Sequence, residues 1–379
     1  MILFIVALPF FDSLGRIVVF LLMLSILVVL HELGHFILAR LNGVRVNDFA
    51  VGFGPTLLKW TSPRTGTNYR LNVFPIGGYC AMHGEDGRSS EAQQQRAFRA
   101  TGELGDDNFQ SKSTWQRLSI IAAGPVANFI VALVVLIFVT MAFGAATDRV
   151  STVIGPLDRN SPGARAGLQI GDRIAAINGM PMSSGEKMVK TIHGSTGAPL
   201  RLTILRHGQQ LQFTVTPEVK VDRQTGKRYR IIGFQTQPTY ETVSPGAAIV
   251  AGSQRFFDLV TLNVLGLGSL IIHPQTAAAQ VSGPVGIGAL ASQAQQLGWG
   301  PYLQLAAAIS VALGIFNFLP IPALDGGRGV FIIAEMLRGR PVDPEKEALV
   351  HVTGFALLMM LMVFVAYHDI TNIVTSKAL

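Results

Sequence analysis

Residues 17–40 read I-V-V-F-L-L-M-L-S-I-L-V-V-L-H-E-L-G-H-F-I-L-A-R, an aliphatic run into which two imidazoles and a carboxylate are set. A charged side chain at the centre of a bilayer helix costs about 2.5–3.5 kcal/mol on insertion scales, so such residues need partners or a purpose. Histidines four apart on a helix are offset by about 40° and separated by about 6 Å along the axis, so His31 and His35 can reach one ion. Glu32 lies beside the first and can lean toward a water on that ion without being a ligand. This is the H-E-x-x-H pattern of two zinc ligands and a general base. Zinc lowers the pKa of a bound water toward about 7. In soluble helices the same letters arise as solvated or core residues, a reading that an apolar helix makes costly.

Composition agrees with a membrane setting. Of 379 residues, 49% are apolar and 14% charged, against roughly 25% charged in soluble domains. The mean hydropathy is +0.41. Four stretches are expected to span the bilayer, approximately 14–38, 118–143, 302–336 and 353–370. The net charge of +7 is scattered, with no basic patch interleaved with aromatics. No nucleic-acid partner is expected, since basic cytoplasmic loops are ordinary in membrane proteins. A single cysteine, Cys80, rules out an internal disulfide. The first apolar segment lacks a basic leader region and is not expected to be a cleaved signal peptide.

The fold class expected is an α-helical polytopic membrane protein with four transmembrane segments, a membrane-associated β-hairpin region and an inserted extracytoplasmic PDZ-like α+β domain. Residues 1–145 form the N-terminal membrane core. Within them, Y-R-L-N-V-F-P-I-G-G-Y (69–79) alternates like a strand, with Tyr69, Leu71 and Val73 on one face and Arg70 and Asn72 on the other. The polar, Gly-rich stretch 83–108 reads as a mobile linker. In 146–220, A-G-L-Q-I-G-D-R-I-A-A-I-N-G resembles a PDZ domain of the bacterial protease-associated kind. Two alternating runs after it, joined at His207-Gly208, read as a hairpin. PDZ domains bind extended peptides or C-termini at an exposed strand edge, so a peptide ligand is expected. Residues 221–300 are a connector, and 301–379 the C-terminal membrane core.

The metal needs a third ligand, and H-F-I-L-A-R-L-N-G-V-R-V (35–46) does not continue as a soluble metzincin would. His83, His193, His207, His273, His351 and His368 fall in loops, in the soluble domain or near span ends, where surface or internally satisfied roles suffice. Asp325 is the stronger candidate. It lies in I-S-V-A-L-G-I-F-N-F-L-P-I-P-A-L-D-G-G-R-G-V-F (309–331), where Asn317, Pro320, Pro322 and a glycine pair interrupt an apolar span. Irregular backbone at membrane depth is tolerated only where it is buried in protein or lines a cavity. The alternative is a kinked helix whose Asp325 caps the restarted turn.

H-E-L-G-H in the first span, G-P-V-A-N (124–128) in the second and N-F-L-P-I-P-A-L-D-G-G (317–327) in the third together resemble the site-2 protease family of intramembrane zinc metalloproteases. The intervening PDZ-like stretch is similar to the bacterial regulator-of-sigma-E protease branch. The resemblance implies Zn2+ on His31, His35 and Asp325, with Glu32 activating the water. It implies that Asn317 holds substrate or stabilises the oxyanion, and that Pro320, Pro322, Gly77, Gly78 and Asn128 lie toward the substrate. Gly124, Pro125 and Asn128 are family-typical packing or substrate-side positions to which the sequence attaches no derived role. F-P-I-G-G-Y resembles the family's re-entrant β-element. An exposed strand edge around 69–79 is expected to accept unwound substrate backbone. The implied substrates are single-pass membrane proteins already shortened by another protease, such as anti-sigma factors, or leftover signal peptides. Best-known members of that branch carry two tandem PDZ domains, whereas one is legible here.

Orientation follows from charge. Arg40, Arg45, Lys112 and Arg117 flank the first loop, and Arg328, Arg338, Arg340 and Lys346 the last, so both loops are expected inside and both termini outside. Asp325 must reach the depth of His31. It does so, about 23 positions into the third span, only if residues 256–272 do not cross. Residues 245–272 are therefore expected as amphipathic or interfacial helices packed against the membrane core. The rivals are a receptor with a structural metal, which wants four protein ligands, and a metal-ion transporter, which wants polar residues along several spans. His, His and carboxylate suit zinc, though iron or cobalt could occupy them.

Overall fold

The computed structural model describes residues 13–85, 105–158, 160–221, 228–273, 283–340 and 342–378. In chain order the helices are α1 (Ser13–Leu41), α2 (Thr114–Phe143), α3 (Pro162–Arg165), α4 (Gly185–His193), α5 (Pro245–Ile272), α6 (Pro284–Leu297), α7 (Trp299–Phe318), α8 (Asp325–Arg338) and α9 (Pro344–Ala378). The strands are β1 (Val46–Thr61), β2 (Asn68–Met82), β3 (Ala145–Leu157), β4 (Arg173–Ile177), β5 (Met180–Pro181), β6 (Leu200–Arg206), β7 (Gln209–Val215), β8 (Glu218–Val221), β9 (Arg228–Ile231) and β10 (Phe234–Glu241). The chain divides into two compact units. The linker expected over 83–108 lies, for residues 86–104, outside the described residues.

The first unit comprises Met1–Leu136, Ser253–Pro284 and Leu303–Ala366. Among the described residues, four helices are long and apolar enough to cross a membrane: Gly15–Leu41, Thr114–Phe143, Trp299–Phe318 and Lys346–Thr371. The third is shorter than the expected 302–336. Pro320 and Pro322 cannot donate backbone hydrogen bonds, so the apolar helix stops at Phe318 and α8 restarts at Asp325. Helix α5 is absent from that set. It is one continuous helix, and its Phe256, Leu259, Val260 and Leu267 pack with Phe129, Ala132 and Leu136 of α2 and Ala307, Val311 and Ile315 of α7. Small residues set the crossings, as in membrane bundles generally. A Cβ on Gly34 would meet the Ala123 carbonyl carbon and the Ala127 Cβ at 2.8 Å. One on Gly314 would lie 3.0 Å from the Phe129 ring.

Strands β1 and β2 pair twice. Phe49, Ala50 and Val51 lie opposite Cys80, Tyr79 and Gly78 on one side and opposite Tyr69, Arg70 and Leu71 on the other, while Leu58–Thr61 pairs with Leu71–Asn68. The segment 69–71 therefore has strand neighbours on both flanks and is not the free edge expected over 69–79, whereas 78–82 pairs with β1 on one flank only among the described residues. The face bearing Leu71 and Val73 is exposed, together with Phe53, Leu57, Leu58, Trp60, Phe74 and Ile76. Asn72 points inward instead, donating to the Gly52 carbonyl at 2.8 Å and accepting from Thr56 Oγ1 at 3.1 Å. The hairpin thus presents apolar side chains on its exposed face, while Asn72 is satisfied inside it and Val46, Cys80 and Met82 join the adjoining core.

The second unit comprises Ile137–Gly252, Val285–Tyr302 and Tyr367–Leu379. Its sheet runs β10-β3-β4-β6-β7 with β5 on β4. Ile154, Ile174, Ile177, Met188, Leu202 and Ile204 are fully buried in its core. The G-D and N-G pairs of the motif each close a turn. Gly171 has φ +91, and buried Asp172 takes a fork of two 2.8 Å bonds from Arg206. Asn178, at φ 51, accepts the Arg201 N–H at 2.8 Å. His207 (φ 49) and Gly208 (φ 80) form the hairpin turn whose left-handed residues match strand twist. A small antiparallel sheet with two short helices, α3 and α4, is the PDZ-like domain expected. The boundary expected at 220 falls short, however. Strand β10, from the stretch read as connector, pairs with β3, Phe234 opposite Leu157 and Tyr240 opposite Ala146.

Candidate metal centre

Three donor atoms converge between α1 and the start of α8. His31 Nε2 and His35 Nε2 lie 3.2 Å apart. Asp325 Oδ2 lies 3.1 Å from the first and 3.3 Å from the second. The two imidazoles meet edge to face, 83° between planes. Both histidines are buried. Asp325 Oδ2 is also buried, and among the described residues it accepts no hydrogen bond of acceptable geometry despite two nitrogens so close.

Those spacings fit a metal. Ligands on a tetrahedral zinc, with Zn–N about 2.0–2.1 Å, sit about 3.3 Å from one another. The three ligand atoms all lie within 4.8 Å of one another. No fourth His, Cys, Asp or Glu joins the group among the described residues. Structural zinc sites are usually closed by four protein ligands, and catalytic sites keep one position open. The donor set, its burial and its convergence therefore suit a catalytic zinc.

The local backbone explains how distant residues arrive here. The turn between α7 and α8 folds back on itself. A Cβ on Gly326 would lie 2.6 Å from the Phe318 carbonyl carbon, and one on Gly327 would lie 2.9 Å from that of Ile321. Only the glycine pair admits this path, which brings Asp325 to the first turn of α8. There the positive end of the helix dipole favours a carboxylate. Ala323, two residues before, has φ 75, a conformation uncommon for a residue with a Cβ. Its N–H donates to His351 Nδ1 at 2.9 Å, so α9 pins the turn. His351, set aside in the sequence as a surface or internally satisfied histidine, uses Nδ1 for this bond, while its buried Nε2 makes no hydrogen bond among the described residues. Nothing in the sequence tied it to the Asp325 turn.

A cavity of about 300 Å³ opens beside the donors, lined by Glu32, Asp325, Arg328, Glu85, Ile121 and residues 79–82 of the β2 edge, among others. Glu85 holds this wall together, pairing with Arg328 and accepting the Met82 N–H at 3.2 Å. Cys80 also faces the cavity, but burial, with the charges of Glu32 and Glu85, pushes its thiol up, away from the thiolate form. It is no candidate nucleophile.

The remaining predicted residues fall elsewhere. Asn317 donates to the Leu313 carbonyl of its own helix at 3.0 Å and does not line the cavity. Pro322 packs on Gly354 of α9, and Pro320 is exposed. Gly77 (φ +81) and Gly78 are required by the hairpin itself. A Cβ on either would lie 2.7 Å from the Phe53 ring or the Ala50 carbonyl oxygen. Asn128 is fully buried, its amide 3.1 Å from His31 Nδ1.

Residues 19–361 match peptidase family M50. The chain belongs to that family. This M50 peptidase is 32% identical over 424 residues to the zinc metalloprotease RasP of Geobacillus kaustophilus, covering 95% of this chain and 98% of the relative. It is 31% identical over 426 residues to the regulator of sigma-W protease RasP of Bacillus subtilis, covering 95% and 99%. A solved PDZ domain of an SdrC-like protein from Listeria innocua covers 24% of this chain and 99% of its own length, at 17% identity and a TM-score of 0.21. That likeness is too low to add to the strand topology. The M50 peptidase is a zinc metalloprotease of the site-2 type, an intramembrane enzyme of the bacterial inner membrane with Zn2+ as cofactor.

Proposed function

We propose that His31, His35 and Asp325 hold the zinc, that Glu32 is the general base, and that the enzyme cleaves peptide bonds within or near the transmembrane segment of single-pass membrane proteins. The observation that carries this is the convergence of two buried histidines of an apolar helix and the Asp325 carboxylate beside a cavity that Glu32 also lines. Zinc, when bound there, supplies Lewis acidity toward water and the substrate carbonyl. Glu32 then takes a proton from the attacking water on its carboxylate and returns it to the leaving amine.

A transmembrane helix must unwind locally before its peptide carbon is accessible, and unwound backbone in lipid needs new hydrogen-bond partners. The β2 edge at 79–81 borders the cavity and offers them by strand addition. The exposed apolar face of the hairpin supports its placement against lipid. The flanking basic residues support cytoplasmic first and last loops, with the PDZ-like domain outside the cell membrane as a reader of new C-termini. Substrates shortened by an earlier protease, including anti-sigma factors and signal-peptide remnants, fit such a reader.

The test compares wild type with Glu32→Gln in a bacterial membrane, using a truncated single-pass protein as substrate, with zinc quantified in both purified enzymes. Cleavage lowered about 10²- to 10⁴-fold with zinc retained is the expected result for a lost general base. Unchanged cleavage would remove the proposal and favour a receptor whose PDZ-like domain binds peptides.

A further inference from the structure

Helix α2 contributes no donor to the metal group, yet one stripe of it forms the back wall. His35 Nδ1 lies 2.9 Å from the Ile120 carbonyl. A carbonyl only accepts, so the proton of His35 sits on Nδ1 and its Nε2 lone pair faces the centre. One turn on, Gly124 presses against both rings, and a Cβ there would collide with His35 Nε2 and lie 2.7 Å from His31 Cε1. One turn further, Asn128 meets His31 Nδ1 at 3.1 Å. Residues 120, 124 and 128 recur at four-residue spacing, which keeps them on one helix face. Ser310 Oγ of α7 donates to the Asn128 carbonyl at 2.8 Å, fixing that residue from behind.

The geometry points to Asn128 as the positioning residue for His31, with its amide oxygen accepting the Nδ1 proton so that Nε2 is free to bind metal. For His31 to ligate through Nε2, its proton must lie on Nδ1 and needs an acceptor there. The amide has two ends of nearly the same shape, and only Oδ1 can accept. With the amide nitrogen facing Nδ1, Oδ1 is left buried without a partner among the described residues. A half-turn of the amide gives Oδ1 the imidazole proton. The same rotation satisfies the stranded oxygen and sets the His31 tautomer that ligation demands. Partners of this kind fix the orientation and basicity of a metal-bound imidazole. The inference rests on the proposed ligation by His31, and it gives the final Asn of G-P-V-A-N a physical role.

Full-length wild type, Asn128→Leu, Asn128→Asp and His31→Ala would be purified in detergent. Zinc affinity would be measured by competition with a chelator, and folding followed by thermal unfolding. Leucine keeps the volume and removes the acceptor, so zinc affinity is expected to fall about 10- to 100-fold. Aspartate keeps an acceptor and cannot donate when ionised, so its zinc affinity is expected to stay within about threefold of wild type. Equal affinities in wild type and Asn128→Leu would reduce the residue to packing and overturn the inference. Loss in Asn128→Asp as deep as in Asn128→Leu, with folding intact, would overturn it too, because a donor would then be what matters. Wild-type zinc affinity in His31→Ala would instead sink the ligand assignment itself, a distinguishable failure.

Discussion

Two aspartates with buried carboxylate oxygens, each beside a glycine, divide the labour of this protein. Asp172 in the PDZ-like domain is enclosed by donors. Arg206 grips both carboxylate oxygens at 2.8 Å, and the Gln169 N–H adds a third bond at 2.8 Å. Asp325 in the membrane unit faces two imidazole nitrogens, and its Oδ2 makes no hydrogen bond among the described residues. A satisfied buried carboxylate holds a turn together. An unsatisfied one, with other lone-pair donors converging on the same point, marks a place for a cation. Burial alone does not separate the two cases; what the oxygens face does.

The comparison breaks most visibly at Asp325. Asp325→Ala is expected to lose zinc from the purified protein and about 4 kcal/mol of transition-state stabilisation, a fall of about 10³-fold in cleavage. Thermal unfolding of the zinc-free enzymes should be unaffected or slightly raised, since a poorly satisfied buried carboxylate is removed. A large drop in zinc-free stability would show that Asp325 is structural, like Asp172.

Asp172→Ala should do the reverse. It leaves the Arg206 guanidinium without its fork, a loss of about 2–3 kcal/mol given that the arginine side chain is 19% exposed. Hydrogen exchange in β6 and β7 of the full chain should accelerate accordingly, while zinc content stays at the wild-type level. Altered zinc content would tie this turn to the metal centre and erase the distinction.

The smallest effect is expected at His351, which supports Asp325 only through the Ala323 N–H. His351→Ala removes one hydrogen bond worth about 1–1.4 kcal/mol, so zinc affinity should weaken by about tenfold or less, measured against the same chelator. A loss as deep as that of Asp325→Ala would make His351 a ligand rather than a clamp on the turn.

Much of this was legible in the chain, for reasons that differ by region. H-E-L-G-H declares itself because helical spacing and apolar flanks are local. The Asp325 turn is legible because two prolines and two glycines interrupt an apolar span, and irregular backbone at membrane depth is tolerated only where it is buried in protein or lines a cavity. The G-D, N-G and H-G pairs of the PDZ-like domain each carry the turn chemistry that the structure shows. Strand pairing was less accessible. Segment 69–71 reads as an edge until the double pairing of β1 places neighbours on both sides of it. Strand β10 follows a gap in the pattern and joins β3 from far along the chain. Contacts made by side chains with no chemical signature, such as Gly124 against two imidazoles, leave no periodic trace at all. The role of Asn128 depends on a 97-residue separation from His31, which no local reading reaches.

The most direct measurement is the zinc K-edge absorption spectrum of the purified full-length enzyme, compared with that of His35→Ala. The account predicts a nitrogen and oxygen shell at about 2.0–2.1 Å with imidazole scattering in the wild type, reduced or lost in the variant. A sulfur shell at about 2.3 Å, which would bring in Cys80, or a wild-type spectrum unchanged in His35→Ala, would contradict it.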